Sequence, residues 1–271
     1  MHARTVSAAF VMVVLLGGRW TGASAQTAGS ASEQEQPNAA VENDANPTRA
    51  VLFSLRPEFY RPSDDVTQAA LIFRYDQASL RQRRWLPGKR GVVLRFEMPI
   101  LYTHAGDTVR QGGLGDAYAQ VLLLPYFSRT FAFFAGTGLK VPTATDQSLG
   151  TGKWIIAPAA GPVWFLPTRG LFLVKVQNLT SFAGDAARPD VNTLLITPVF
   201  VQTVKKRWWV LVDSETNTDW QRDGRTGLKS GVQFGRISSR RLALWVKPEV
   251  YWGPNRDGRW NLKFALVWYR T

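Results

Sequence analysis

Trp260-Asn261-Leu262-Lys263-Phe264-Ala265-Leu266-Val267-Trp268-Tyr269 alternates without a break. Side chains of an extended strand point to opposite faces in turn. Trp260, Leu262, Phe264, Leu266 and Trp268 therefore share one face, and Asn261, Lys263, Ala265, Val267 and Tyr269 the other. The apolar face carries an aromatic ring at each end, as expected of a strand that crosses two water–lipid interfaces.

The same pattern recurs upstream. Leu242, Leu244, Val246 and Val250 oppose Lys247, Glu249 and Tyr251; Val92, Leu94, Phe96, Met98 and Ile100 oppose Arg95 and Glu97. Leu228, Val232 and Phe234 oppose Lys229 and Gln233, and Phe172, Val174 and Val176 oppose Lys175 and Gln177. About twelve such segments are expected, near 50–60, 67–76, 90–103, 114–127, 130–141, 152–166, 170–182, 191–204, 207–215, 226–236, 241–252 and 258–270. A water-soluble sandwich also alternates, but its strands average about 5–6 residues, whereas tilted strands need about 9–11 to cross a bilayer. Most of these segments are of the longer kind.

Link lengths point the same way. From the fourth strand on, short links (Ser128-Arg129, Pro167–Arg169, Lys205-Lys206, Ile237–Arg240) alternate with longer ones (142–151, 183–190, 216–225, 253–257). Outer-membrane barrels have short periplasmic turns and longer external loops. The link from Gln77 to Lys89 breaks the rule, which suggests an unrecognised kink or strand extension. The expected fold is all-β, a closed antiparallel transmembrane barrel over residues 49–271.

Composition agrees. The chain has 271 residues, 45% of them hydrophobic, and no cysteine, so thiolate metal sites and cysteine nucleophiles are excluded. Residues 1–25 read as a signal peptide: a short basic start, the apolar run Ala8–Gly18, and Ala23-Ser24-Ala25 as cleavage site. The run is too short for a helix to span a bilayer, which takes about 20 residues. Loss of Arg4 and Arg19 with this leader takes the formal charge from +13 to +11. Residues 26–48 carry four acids, no base and no aromatic ring, and are expected to form a disordered periplasmic linker. Export makes nucleic acid an improbable partner for the basic charge. It favours a membrane surface instead, with outer-membrane lipids and small-molecule solutes as partners.

Gly112-Gly113-Leu114-Gly115-Asp116, Phe131–Thr143 with its Gly138-Leu139-Lys140-Val141-Pro142-Thr143, and Leu149-Gly150-Thr151-Gly152-Lys153-Trp154 resemble an outer-membrane barrel family. It is the one grouped under the meta-pathway of phenol degradation. The likeness is strong over about 110–167 and architectural elsewhere. It implies a Gram-negative, porin-like transport protein that passes small hydrophobic or aromatic molecules. It carries no catalytic residues and no cofactor. The chain departs from many outer-membrane barrels in ending Trp268-Tyr269-Arg270-Thr271 rather than on an aromatic residue.

Charges at mid-bilayer on a lipid face cost about 2–4 kcal/mol. Alternation thus directs Arg95, Glu97, Asp116, Lys153, Lys175, Lys229, Lys247, Glu249 and Lys263 into the barrel as candidate pore-lining residues. Two interiors fit them: a plug of paired charges, or a wet, net-positive pore that favours anions such as aromatic carboxylates. A basic ring at the turns (Arg129, Arg169, Lys205, Lys206, Arg207, Arg236, Arg240, Arg241) is expected to meet lipid headgroups, with Arg81, Arg83, Arg84, Lys89 and Arg90 around the exceptional link. A lipid hydrolase would need a Ser–His pair. The only histidine beyond the leader is His104, with Ser148 and Ser181 as loop serines, and no nucleophile motif surrounds either. Asp107, Asp146, Asp185 and Asp190 show no ligand spacing for a metal. The leading expectation is a passive outer-membrane channel or transporter and no enzyme. The alternatives are a structural or lipid-contacting barrel and, further off, a lipid hydrolase.

Overall fold

Strands with an apolar outer face cannot leave backbone N–H and C=O groups unpaired, because hydrocarbon offers no partner. The computed structural model describes residues 51–63, 66–82, 89–105, 109–205, 207–253, 256 and 258–270, and in it the chain meets this demand by closing on itself. In order the strands are β1 (Val51–Arg61), β2 (Val66–Gln82), β3 (Lys89–Ala105), β4 (Val109–Leu114), β5 (Ala117–Phe127), β6 (Phe131–Val141) and β7 (Lys153–Leu166). There follow β8 (Gly170–Gly184), β9 (Asn192–Lys205), β10 (Trp208–Asp219), β11 (Arg225–Ser239), β12 (Leu242–Trp252) and β13 (Trp260–Arg270). Each neighbouring pair is antiparallel, and β1 zips to β13 from Val51↔Arg270 to Arg61↔Trp260, so no edge remains at the seam.

The wall has twelve strands, because β4 and β5 are two pieces of one strand broken at Gly115-Asp116. The side of β4 away from β3 is met by the β6–β7 loop. Leu114 N–H donates to Thr145 Oγ1 at 3.1 Å, and Leu114 C=O accepts from Thr145 N–H at 3.1 Å. Thr143 bridges the break, accepting from Ala117 N–H (2.8 Å) and donating to Gly115 C=O (2.9 Å).

The expected segments are all present, with shifted ends. β2 runs on to Gln82 and β3 begins at Lys89, paired throughout, so the exceptional link shrinks to 83–88. β10 likewise extends to Asp219 and closes through a single 3-10 turn, Trp220–Arg222, where 216–225 is expected to be loop. Among the described residues no helix is long and apolar enough to cross a membrane. The signal peptide, the linker, Arg83, Arg84, Asp107 and Lys206 lie outside the described residues.

Alternation decides which residues face out. Phe53, Phe73, Phe96, Leu123, Phe234, Leu244 and Phe264 are all large, apolar and exposed on the outer wall, while Ser54, Arg74, Asp76, Lys247 and Asn261 are buried behind it. Strands of 11 residues rise about 36 Å, which a tilt of roughly 40° reduces to the thickness of a hydrocarbon layer. Outward tryptophans collect at both rims: Trp164, Trp208 and Trp268 at the rim of the short turns, and Trp154, Trp252 and Trp260 at the other. Trp209 and Trp245 do not join them. They point inward and are 5% exposed. Trp209 lies flat over Gly235 on the inner wall, where a Cβ would strike its six-membered ring.

Gly235→Val should therefore displace the Trp209 indole and cost about 1–3 kcal/mol. A lower urea midpoint in the loss of the fast-migrating folded band on unheated gels would register it.

Candidate functional site in the barrel interior

Inward side chains divide the barrel into two halves. Near the short turns they are almost all apolar and tightly covered: Leu122 and Leu124 on β5, Ala132 and Phe134 on β6, Val163 and Phe165 on β7, Leu171 and Leu173 on β8. Val201 on β9, Leu211 on β10, Trp245 on β12 and Val267 on β13 close the ring, each at most 5% exposed. Phe127 and Phe165 meet edge to face at 5.6 Å. Together they form an apolar floor. Its trace in the sequence is a loss of alternation beside the turns, in runs such as Val121-Leu122-Leu123-Leu124, Phe131–Ala135, Leu171–Val174 and Trp208–Val212.

Above the floor the interior is charged. Asp76 accepts from Arg74 Nε (2.6 Å) and Arg95 Nε (3.0 Å), and Glu97 lies 3.3 Å from Arg74 Nη1. Further round the wall, Glu249 sits between Lys247 (2.8 Å) and Lys263 (3.1 Å), Lys247 also reaches Asp213 (2.5 Å), and Lys229 binds Glu215 (2.6 Å). Lys263 lies 3.6 Å from Glu58. Such pairs balance the cost of dehydration only while both partners stay in place.

A cavity of about 490 Å³ opens above the floor, beside Arg95 and Glu97, and reaches up to Asp116 and Thr151. Ile72, Leu122, Ile155, Leu179 and Leu195 give it apolar walls, Tyr118, Gln120 and Gln177 give it hydrogen-bonding groups, and Arg95, Lys140 and Lys175 bring positive charge. Lys175 Nζ donates to Gln177 Oε1 at 3.1 Å and has no carboxylate within salt-bridge distance among the described residues.

The β6–β7 loop is fastened over the cavity by Asp116. One carboxylate oxygen accepts from Thr151 N–H (2.7 Å) and Thr151 Oγ1 (2.8 Å), and the other from Ala144 N–H (3.4 Å). Lys140 Nζ lies 3.8 Å away. Arg188, from the β8–β9 loop, donates to the carbonyls of Gln147 and Gly150. The motifs around 112–116, 138–143 and 149–152, distant in sequence, thus meet in one latch. In the same β8–β9 loop Asp190 accepts from Lys153 (2.8 Å) and Ser181 (3.2 Å), and the Lys153 bond holds its carboxyl below the usual carboxylate range.

All nine charges expected inside (Arg95, Glu97, Asp116, Lys153, Lys175, Lys229, Lys247, Glu249 and Lys263) lie on inward strand positions or at the latch. The sequence reading left out Arg56, Glu58, Arg74, Asp76, Lys140, Asp213 and Glu215, which also point inward. Four of these seven are acids, so six bases and three acids become nine and seven, an interior still net-positive by two in which most charges are paired. Parity alone would have found Asp213 and Glu215, opposite Val210 and Val212. Arg129, Arg169, Lys205, Arg207, Arg240 and Arg241 are exposed at the short-turn rim. His104 stands on β3 beside Thr67 and Arg110, while Ser148 and Ser181 donate to Asp146 (2.7 Å) and Asp190 (3.2 Å). Among the described residues no three His, Asp or Glu side chains gather as a metal site.

Fold and interior define a closed twelve-stranded antiparallel β-barrel of the outer-membrane type. An outer-membrane channel from Pseudomonas putida F1 shares this fold, with a TM-score of 0.67 and 11% identity over 83% of this chain and 96% of that one. The porin NanC matches with a TM-score of 0.51 and 9% identity, covering 81% of this chain and 100% of its own. No protein-family model matches the chain, and no curated protein matches it.

Asp76→Leu takes from Arg74 and Arg95 the carboxylate they share, leaving Glu97 alone between two buried guanidiniums, and should cost about 3–5 kcal/mol. Urea unfolding followed by tryptophan fluorescence would measure the loss.

Proposed function

We propose that this chain is a passive channel of the bacterial outer membrane for small hydrophobic or aromatic molecules, aromatic carboxylates among them. The observation that carries this reading is the cavity above the floor. Its apolar walls suit an aromatic ring, while Lys140, Lys175 and Arg95 suit a carboxylate at the ring's edge. The resemblance of the latch motifs to the family of the meta-pathway of phenol degradation supports the same solute class. The exposed apolar wall with tryptophans at both rims supports the outer membrane as its place, reached through a cleaved signal peptide over residues 1–25. The inward charges are then the pore lining, with Lys175 the cation most available to a solute.

The floor explains how such a channel discriminates. A layer of covered apolar side chains excludes water and with it hydrated ions, whereas an aromatic solute can exchange contacts with Leu122, Phe134 and Phe165 as they shift. The same floor is the specific observation behind a second reading, a structural barrel that passes nothing.

Purified barrel in liposomes separates the two. Swelling in sodium benzoate should exceed that in arabinose, and Lys140→Gln with Lys175→Gln should reduce the benzoate rate severalfold. Swelling no faster than in protein-free vesicles with either solute would leave the structural reading. In planar bilayers, Leu122→Ser with Phe134→Ser should wet the floor and raise ion conductance well above that of the parent chain.

A further inference from the structure

The outer wall is not evenly convex. A groove of about 690 Å³ crosses it, lined outward by Trp208 on β10, Phe234 and Arg236 on β11, Leu244 and Val246 on β12, and Phe264 and Leu266 on β13. It continues over Leu55 and Pro57 on β1 to Leu71 on β2. Six strands at a spacing of about 4.8 Å make it roughly 24 Å from end to end. One end lies at the short-turn rim, where Arg236 stacks over Trp208 with its guanidinium carbon 5.2 Å from the ring centroid. The other rises into the apolar wall.

That lower end is strongly basic. Arg207 is tied to β11 by Ile237 N–H donating to its carbonyl at 2.8 Å, and Arg240 and Arg241 form the next turn. Arg207, Arg236, Arg240 and Arg241 are all exposed, and neither 204–212 nor 235–246 contains an acid. We infer that this groove binds one anionic phospholipid of the leaflet at the short-turn rim, its acyl chain along Leu244, Val246 and Leu266 and its phosphate against Arg207 and Arg236. The inference rests on the membrane placement proposed above. Charge and shape both select the occupant: an apolar slot with a cationic mouth fits a phosphate-headed chain, and arginine pairs with phosphate oxygens through two parallel N–H donors.

Native mass spectrometry of the detergent-purified barrel tests this. Titration with phosphatidylglycerol should give a one-to-one complex that phosphatidylcholine of the same chain length forms far less readily. Arg207→Gln with Arg236→Gln should weaken phosphatidylglycerol binding about fivefold per arginine, since each basic group near an anionic lipid surface contributes about 1 kcal/mol. Val246→Trp should abolish the complex by filling the slot while leaving the folded gel band unchanged. Equal retention of both lipids, or retention untouched by Val246→Trp, would overturn the site. Failure of the parent chain to insert into vesicles at all would instead overturn the membrane placement on which it rests.

Discussion

Backbone hydrogen bonding without water is the constraint from which the rest of this structure follows. A strand in hydrocarbon has no solvent to satisfy its edge, so the sheet must close, and closure is achieved by pairing β1 with β13 along their whole length. Closure in turn fixes an inside and an outside for every residue. Charged side chains are then confined to an interior in which each must find a partner, and Arg74, Asp76, Arg95 and Glu97 form one such cluster on adjacent strands. Even the one break in the wall obeys the rule. Where β4 and β5 part at Gly115-Asp116, the hydroxyls of Thr143 and Thr145 take over as hydrogen-bond partners.

The interior is layered. Near the turns the lumen is filled with Leu, Val, Phe and Trp, giving a core much like that of a soluble protein. Higher up, the chain accepts buried ions in return for a polar cavity, and oppositely charged neighbours keep most of them, though not Lys175, from standing alone. The latch at Asp116 belongs to this upper half. It uses a buried carboxylate to hold backbone and hydroxyl groups of a loop, and so places that loop over the cavity.

Much of the fold was legible in the sequence, because period-2 alternation is imposed by the very environment the strands occupy. β13 reads without ambiguity, as do the charged inner faces of β3, β11 and β12. Legibility fails where the environment changes. Beyond Gln77 the β2–β3 hairpin runs on to Gln82, but Gln77 and Ser79 put polar residues on the face that Phe73 made apolar, so the apolar outer face that marks a strand is lost. Beside the short turns both faces are apolar, so Leu122-Leu123-Leu124 or Trp208-Trp209 shows a strand but not that its inner residue is part of a floor. The latch was visible only as three glycine-rich motifs. Nothing local in them says that Asp116 and Thr151 meet, since that contact depends on which strands become neighbours.

The apolar floor bears on the economy of the whole cell envelope. A wide, water-filled pore imposes a permeability that grows with every copy inserted, and hydrophilic toxins use it as freely as nutrients do. A barrel whose lumen is filled by Leu122, Phe134, Phe165 and their neighbours would, on the function proposed above, pass few hydrated ions. If the channel proposed above carries its solute through such a floor, its abundance can rise with demand while the osmotic and ionic isolation of the periplasm stays as it was.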